Sequence, residues 1–378
     1  MSCDEAFYWR LEISTGGASY DLSRDLTSFT VEEEDRSPTL LTIQVSDPHN
    51  VFSHAFQEGG DVEAELGTAK DHGVVFRGRI YHVDASLPLD GTPVLTLKAY
   101  DGAMKMGLRK RNRRFRGLDL KTIVTQVARP HFNAPTVEPA GNPTYNGQGL
   151  RQREETDLCF LRRLAGQAEC AMGIDPTSDG RRLVFAPPSF FLKRAPSLTL
   201  HYGRCDVPNR LVSFDARADV GEISVAPALS AMDPESGALV DVHVPEPVTV
   251  PPLEDPLRTE NVAAFKQTHP DRGPALDALI GAGASLGKAV RASRGPWQRE
   301  AIPTFATVPE AAERRAWFPS ASVYGMSGSG ATVGNRSLHA RAPLDIQGAG
   351  RFSGKWYVSK ATHTLNRDGY RTEFTCSR

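Results

Sequence analysis

A chain of 378 residues with 40% hydrophobic side chains is long enough to bury roughly two to four separate cores. Its 44 Lys and Arg nearly cancel its 45 Asp and Glu, so overall charge names neither a nucleic-acid nor a membrane partner. Five cysteines, at positions 3, 159, 170, 205 and 376, form no CxxC pair, which argues for reduced thiols in a cytoplasmically assembled protein rather than a disulfide framework.

The first residues, 1–5, are acidic and run straight into a strand pattern at 7–13, which predicts no secretory leader. No apolar run approaches the roughly 20 residues that a membrane-crossing helix needs. Alternating apolar positions continue at 26–33 and 39–45, break at Asp47-Pro48, and resume at 62–67. Residues 76–84 and 93–101 read as the two arms of a hairpin joined across Asp90-Gly91. This spacing predicts an antiparallel β-barrel or sandwich over residues 1–104.

From 105 to 195 the pattern becomes that of an α+β module. It opens with seven cations in twelve residues: Lys105, Arg109, Lys110, Arg111, Arg113, Arg114 and Arg116. The favoured reading is a solvated linker or a patch facing an acidic neighbouring subunit; phosphate contact is the minority one. Phe115 is the lone aromatic of the run, so no stacking platform is indicated and no specific nucleic-acid binding is expected. Leu120, Ile123, Val124, Val127 and Ala128 follow helical spacing until Pro130 stops them. A second helix is capped at Thr156 or Asp157 and lined by Leu161, Leu164, Ala165 and Ala168. Strands at 171–174 and 182–185 follow, joined by a turn at 177–180.

β character returns at 198–202 and 207–215, and residues 196–228 together with 318–378 make a second β unit. Between them, 229–317 is predicted as a Pro/Gly-rich insertion, extended or partly ordered, with a polyproline-like spacer at 244–252 and a short helix at 308–317. A strand is expected at 321–324. Gly325, Gly328, Gly330 and Gly334 lack the GK[ST] of a phosphate cradle and read as a flexible hairpin tip. Ser327 and Ser329 lack the GxSxG elbow. The chain then closes on a hairpin. Trp356, Val358, Lys360, Thr362 and Thr364 are expected on one face, with Tyr357, Ser359, Ala361, His363 and Leu365 on the other. Asp368-Gly369 is its predicted turn, and Tyr370, Thr372, Phe374 and Cys376 alternate back.

Three stretches carry a family resemblance. The segment from Phe352-Ser353-Gly354 through Trp356-Tyr357-Val358 and Thr362-His363-Thr364 to Gly369-Tyr370 resembles the C-terminal signature of the phage late control D family. Gln152, Glu155, Asp157, Phe160, Leu161, Arg163, Leu164 and Ala165 resemble a second element of that family, with Thr156 and Cys159 as departures. Phe76, Gly78 and Ile80, followed by Asp90-Gly91 and Ala99-Tyr100-Asp101, resemble its first barrel. The hub portion of type VI secretion spike proteins is similar.

The resemblance implies a mainly β fold with an α+β module and two barrels like those of tail-tube subunits. It implies a structural baseplate hub of a contractile phage tail or tail-like injection particle, located in that particle and assembled in the bacterial cytoplasm. Three copies would form a ring of six barrels that adapts a hexameric inner tube to a trimeric spike. The implied partners are two further copies, the inner tube protein, a spike carried on a separate polypeptide because the chain ends at its last hairpin, and the wedge proteins of the baseplate.

The alternative is a tail-tip peptidoglycan or glycan hydrolase. Glu32-Glu33-Glu34-Asp35 and Glu154-Glu155 are its candidate carboxylates, but acids at a strand end or a helix start read as solvated. Ten histidines show no HxH or HExxH spacing, and His363 reads as a packed sheet residue. No catalytic, cofactor or metal-binding residue is therefore assigned, and the chain is expected not to be an enzyme.

Overall fold

The computed structural model describes residues 7–139, 142–146, 149–175, 182–204, 209–219, 228–232, 239–242, 258–293, 299–301 and 325–378. The chain is mainly β, built on one large and mostly antiparallel sheet.

The first β unit contains β1 (Phe7–Thr15), β2 (Ala18–Asp21), β3 (Leu26–Glu34), β4 (Leu40–Ser46), a one-turn helix α1 (Phe52–Ala55), β5 (Asp61–Thr68), β6 (His72–Ser86) and β7 (Val94–Tyr100). The period-two pattern is what folds it. Phe29 and Val31, Leu41, Ile43 and Val45, then Leu95, Leu97 and Ala99 all turn to one core. Burying each large side chain there contributes roughly 1.5–3 kcal/mol. Gly78 lies in β6 where a Cβ would come within 2.2 Å of the Tyr100 carbonyl oxygen, so any other residue would push β7 away.

The module that follows has β8 (Lys110–Phe115), β9 (Leu118–Asp119), α2 (Leu120–Ala128), β10 (Thr136–Val137), β11 (Thr144–Tyr145), β12 (Leu150–Thr156), α3 (Asp157–Gln167), β13 (Ala171–Ile174), β14 (Leu183–Ala186) and α4 (Pro188–Leu192). Both long helices begin on side-chain caps. Asp119 Oδ1 accepts from the Thr122 amide at 2.6 Å, and Thr156 Oγ1 accepts from the Cys159 amide at 3.2 Å. The five α2 positions expected at helical spacing are all buried, facing Phe160, Leu161 and Leu164 of α3.

The second β unit begins with β15 (Leu198–His201) and β16 (Leu211–Ala218). An insertion contributes β17 (Ala228–Met232), β18 (Leu239–Val242), α5 (Arg258–Thr268), α6 (Gly273–Ser293) and β19 (Arg299–Ala301). The extended reading of this insertion is corrected over 258–293. Ala, Leu, Lys and Gln supply enough helix propensity to outweigh the scattered glycines, and Lys266 of α5 bonds Asp277 of α6 at 2.7 Å. The unit resumes with β20 (Met326–Val333), β21 (Ala342–Gln347), β22 (Gly354–Asn366) and β23 (Gly369–Ser377). Its core gathers Leu200, Leu344, Ile346, Trp356, Val358 and Phe374.

Two expectations for this unit change. The Gly/Ser stretch is not a hairpin tip but strand β20, hydrogen-bonded between β16 and β23. Its glycines make room for rings: a Cβ on Gly328 would lie 2.9 Å from the Phe214 ring, and one on Gly330 2.7 Å from the Phe374 ring. The closing hairpin does form, but a bulge between Val358 and Lys360 exchanges its faces midway. Trp356 and Val358 before the bulge, and Ala361, His363 and Leu365 after it, are all buried. Gly369 takes a positive φ of 113° and Asp368 does not; the two-residue loop is Arg367-Asp368, and Gly369 is the first residue of the returning strand, paired with Asn366.

The hydrogen-bonded order of the large sheet is β16-β20-β23-β22-β3-β4-β7-β6-β5-β1-β2, with β15 and β21 attached beside β22. The two β units are therefore halves of one thirteen-stranded sheet, joined where β22 pairs with β3 from Lys360↔Glu34 to Leu365↔Phe29. The spacer at 244–252, the helix at 308–317, the strand at 321–324, the turn at 177–180, and Cys3 and Cys205 lie outside the described residues. Of the described cysteines, Cys159 is exposed while Cys170 and Cys376 are buried.

Candidate assembly surface and the buried charged junction

The basic run is more than a solvated linker. Its second half is strand β8, which pairs with β12 in a two-stranded ribbon outside the large sheet. The register sets Phe115 against Leu150, Arg114 against Arg151 and Arg113 against Gln152, then slips past a bulge to set Arg111 against Glu155. Glu154 occupies the bulge at φ 51°, fastened by its amide to Asn112 Oδ1 at 2.9 Å. Phe115 turns inward and stacks on Phe160 at 5.5 Å, anchoring the ribbon to α3.

Asp157, at the first turn of α3, is the buried centre of this corner. It takes Gln152 Nε2 at 2.9 Å, His131 Nε2 at 3.0 Å and the Arg113 guanidinium at 3.3 Å. Arg163 reaches back to Glu155 at 2.5 Å and lies over the Phe160 ring. Gln152, Glu155, Asp157, Phe160 and Arg163 thus form one clamp holding ribbon to helix, which gives the resembling sequence element a physical reason.

The acidic group at the end of β3 also departs from expectation. Glu34 is exposed and Glu32 and Asp35 are half-buried, but Glu33 is buried. Glu33 accepts from His339 Nδ1 at 2.9 Å and from the Ala340 amide at 3.0 Å. Burial opposes its charge, yet His339, Arg341 and His363 hold its carboxyl down at about 2. Asp35 is pushed up to about 6 by burial, although Tyr357 donates its hydroxyl to it at 2.6 Å. Short-range sequence patterns carry no sign of this, because these partners all lie some three hundred positions away.

Arg341 completes the junction. It is 2% exposed, sits at φ 61°, and donates to the carbonyls of Glu34 and, at 3.3 Å, of Ile174. Its own amide bonds the Val358 carbonyl at 2.9 Å. Nearby, the Met172 amide donates to the Asp35 carbonyl at 2.7 Å and Arg36 Nε to the Cys170 carbonyl at 2.9 Å. The first β unit, the module and the second β unit therefore converge on one buried charged knot.

Glu33, His339 and His363 place ligand-type atoms within 4.8 Å of one another, so a metal ion must be weighed. The hydrogen bonds count against one. His363 Nε2 faces the Leu338 carbonyl at 2.9 Å and so carries the proton, which leaves Nδ1 to accept from the Tyr370 hydroxyl at 2.8 Å. With His339 already on Glu33, the set is a satisfied chain of hydrogen bonds. Burial keeps His363 neutral, its pKa lowered to about 4. The carboxylate pair Glu154 and Glu155 is tied to Asn112 and Arg163.

No family model matches the chain, and no curated relative does. Solved structures do match in fold. A tail protein from Neisseria meningitidis MC58 superposes with a TM-score of 0.58 at 12% identity, over 97% of this chain and 96% of that one. A 43 kDa tail protein of prophage MuSo2 from Shewanella oneidensis gives 0.59 at 12% identity, over 98% of both. The E. coli c3393 protein, a type VI secretion component described as similar to T4 tail proteins gp27 and gp5, gives 0.51 at 12% identity over 93% of this chain and 73% of that one.

Proposed function

We propose, from a fold shared end to end with phage tail proteins and in large part with a type VI secretion component, that this chain is the structural hub of a contractile-tail baseplate or of a related injection particle. One observation carries the reading. Two β cores are built into a single continuous sheet within a chain whose whole length superposes on tail proteins of nearly the same extent. Two similar units per chain let three copies present six to a hexameric inner tube and three to a trimeric spike, which resolves the symmetry mismatch at that joint. The partners are two further copies, the tube, the spike and the surrounding wedge proteins.

The role is structural rather than enzymatic. Each acid considered for glycan cleavage is either solvated, clamped by a cation or sealed in the junction. Native mass measurement and electron microscopy of the assembled particle test the reading. Three copies per ring, between tube and spike, are expected; six copies per ring, or a particle built without the chain, would overturn it. Clearing of a peptidoglycan zymogram by the purified chain would do the same.

A further inference from the structure

The near-zero net charge conceals a strong division. Residues 1–104 carry seven Lys and Arg against eighteen Asp and Glu, a net charge of −11. Residues 105–195 carry seventeen against eight, a net charge of +9. A charge asymmetry of this size between adjoining units of one chain gives each unit a field that attracts an oppositely charged surface.

The sheet register shows where each excess is concentrated. At the outer edge of the first unit, Asp21 lies directly opposite Glu12, and Glu12 directly opposite Glu63. Opposed residues share a face, and Leu11, Ile13, Val62 and Ala64 turn the other way into the core, so three carboxylates stand in a row on the outside. Arg10 and Arg77 bond Glu12 and Glu63, while Asp21 accepts from Ser23 and feels the charges of Arg10 and Arg24 without an ion pair to either. On the β8–β12 ribbon the pattern is inverted. Six cations stand on the two strands against Glu154 and Glu155, and Arg114 lies directly opposite Arg151. Like charges placed directly opposite one another destabilise an isolated sheet; Arg10 and Arg77 offset part of that cost on the acidic row, and an oppositely charged row from outside would offset more on both.

We infer that the β8–β12 ribbon of one copy docks against the β2–β1–β5 edge of the next copy, so that Arg114 and Arg151 face the Asp21–Glu12–Glu63 row. Within one chain β6, β5 and β1 intervene between β7, which leads to the ribbon, and the β2 edge. Two different surfaces of the same chain are therefore joined head to tail, the type of contact that closes rings. The inference rests on the ring proposed above and names the surface that makes it. A second copy is favoured over nucleic acid because the complementary charge is present in the chain itself and the ribbon's aromatic, Phe115, is turned inward.

Sedimentation of the full-length chain at low and high salt tests this, with four proteins compared after circular dichroism shows each folded. These are the wild type, R114E/R151E, E12R/D21R, and the combination of all four changes. The wild type should associate at low salt and dissociate as salt screens the contact. Each double variant should associate more than about tenfold more weakly, and the four-site variant should recover, because both signs have been exchanged. A wild type that stays monomeric at low salt overturns the inference, as do double variants that associate normally or a four-site variant that does not recover. Normal association of the double variants would leave the hub reading standing on another surface. A rescued ring of six copies would keep the contact and remove the threefold hub. Salt-sensitive retention of duplex DNA, lost in R114E/R151E while E12R/D21R associates like wild type, would assign the ribbon to phosphate and overturn the self-contact.

Discussion

Replacing Gly173 by Ala should reveal how tightly the three units are locked. A Cβ at this position in β13 would stand 2.7 Å from Arg341 Cζ, 2.8 Å from Nη1 and 2.9 Å from Nε, each well inside contact distance. The guanidinium cannot swing away without giving up the Glu34 and Ile174 carbonyls, so overpacking should cost about 1–3 kcal/mol. Arg341→Met keeps an unbranched stem as far as the Nε position but removes the guanidinium, and with it the donors to those two carbonyls and a cation that favours the charged forms of Glu33 and Asp35. Its cost should be about 3–5 kcal/mol. The flexible thioether can yield to the new methyl, so adding Gly173→Ala to Arg341→Met should cost at least about 1 kcal/mol less than in the wild type. Urea unfolding followed by circular dichroism reads all three variants, with midpoints interpreted where the slope is unchanged. If Gly173→Ala costs the same in both backgrounds, the guanidinium is not what fills the space above Gly173.

The junction should also give opposite pH responses from two neighbouring groups. Folded His363 resists protonation down to about 4 against 6.5 when unfolded, so it costs stability as pH falls through that window; folded Asp35 holds its proton up to about 6 against 3.8, so it returns stability over much of the same window. Relative to wild type, Asp35→Asn should lose more stability between pH 6.5 and 4 and His363→Gln less; urea midpoints against pH that moved in the same direction for both would refute this. In β20, Gly330→Ala would set a methyl 2.7 Å from the Phe374 ring and 2.8 Å from the Ser213 carbonyl oxygen, and should lower stability by about 1–3 kcal/mol, with thermal unfolding unchanged from wild type counting against the packing described.

What could be read from sequence was set by short-range periodicity. The first-unit strands, the Leu120–Ala128 helix, the Thr156 cap and the closing hairpin all announce themselves within a window of about ten residues. β8 escaped because its outward side chains are Lys and Arg and one apolar residue, Phe115, marks its inner face; a strand so composed is specified by β12, its partner. β20 escaped for the opposite reason, since its glycines are chosen by Phe214 and Phe374 on flanking strands and look like loop chemistry in isolation. The exchange of faces at the Ser359 bulge follows from pairing with β23, and strict alternation could not foresee it. Glu33 and Asp35 read as surface acids because His339, Arg341 and Tyr357 reach them from the far end of the chain.

The β3–β22 seam also governs how the protein can be made. β3 leaves the ribosome early, pairs with β4, and then offers its other edge to a strand whose first residue lies about 320 positions later. At about 5–20 residues per second that edge stands open for between roughly 15 and 60 s of synthesis. During this interval Phe29, Val31 and the ionised Glu33 lack the neighbours that enclose them in the finished molecule. An unpaired strand edge is a template for pairing with other chains, and Glu32 and Glu34, whose like charges would repel the same strand on another nascent copy, protect it until β22 arrives.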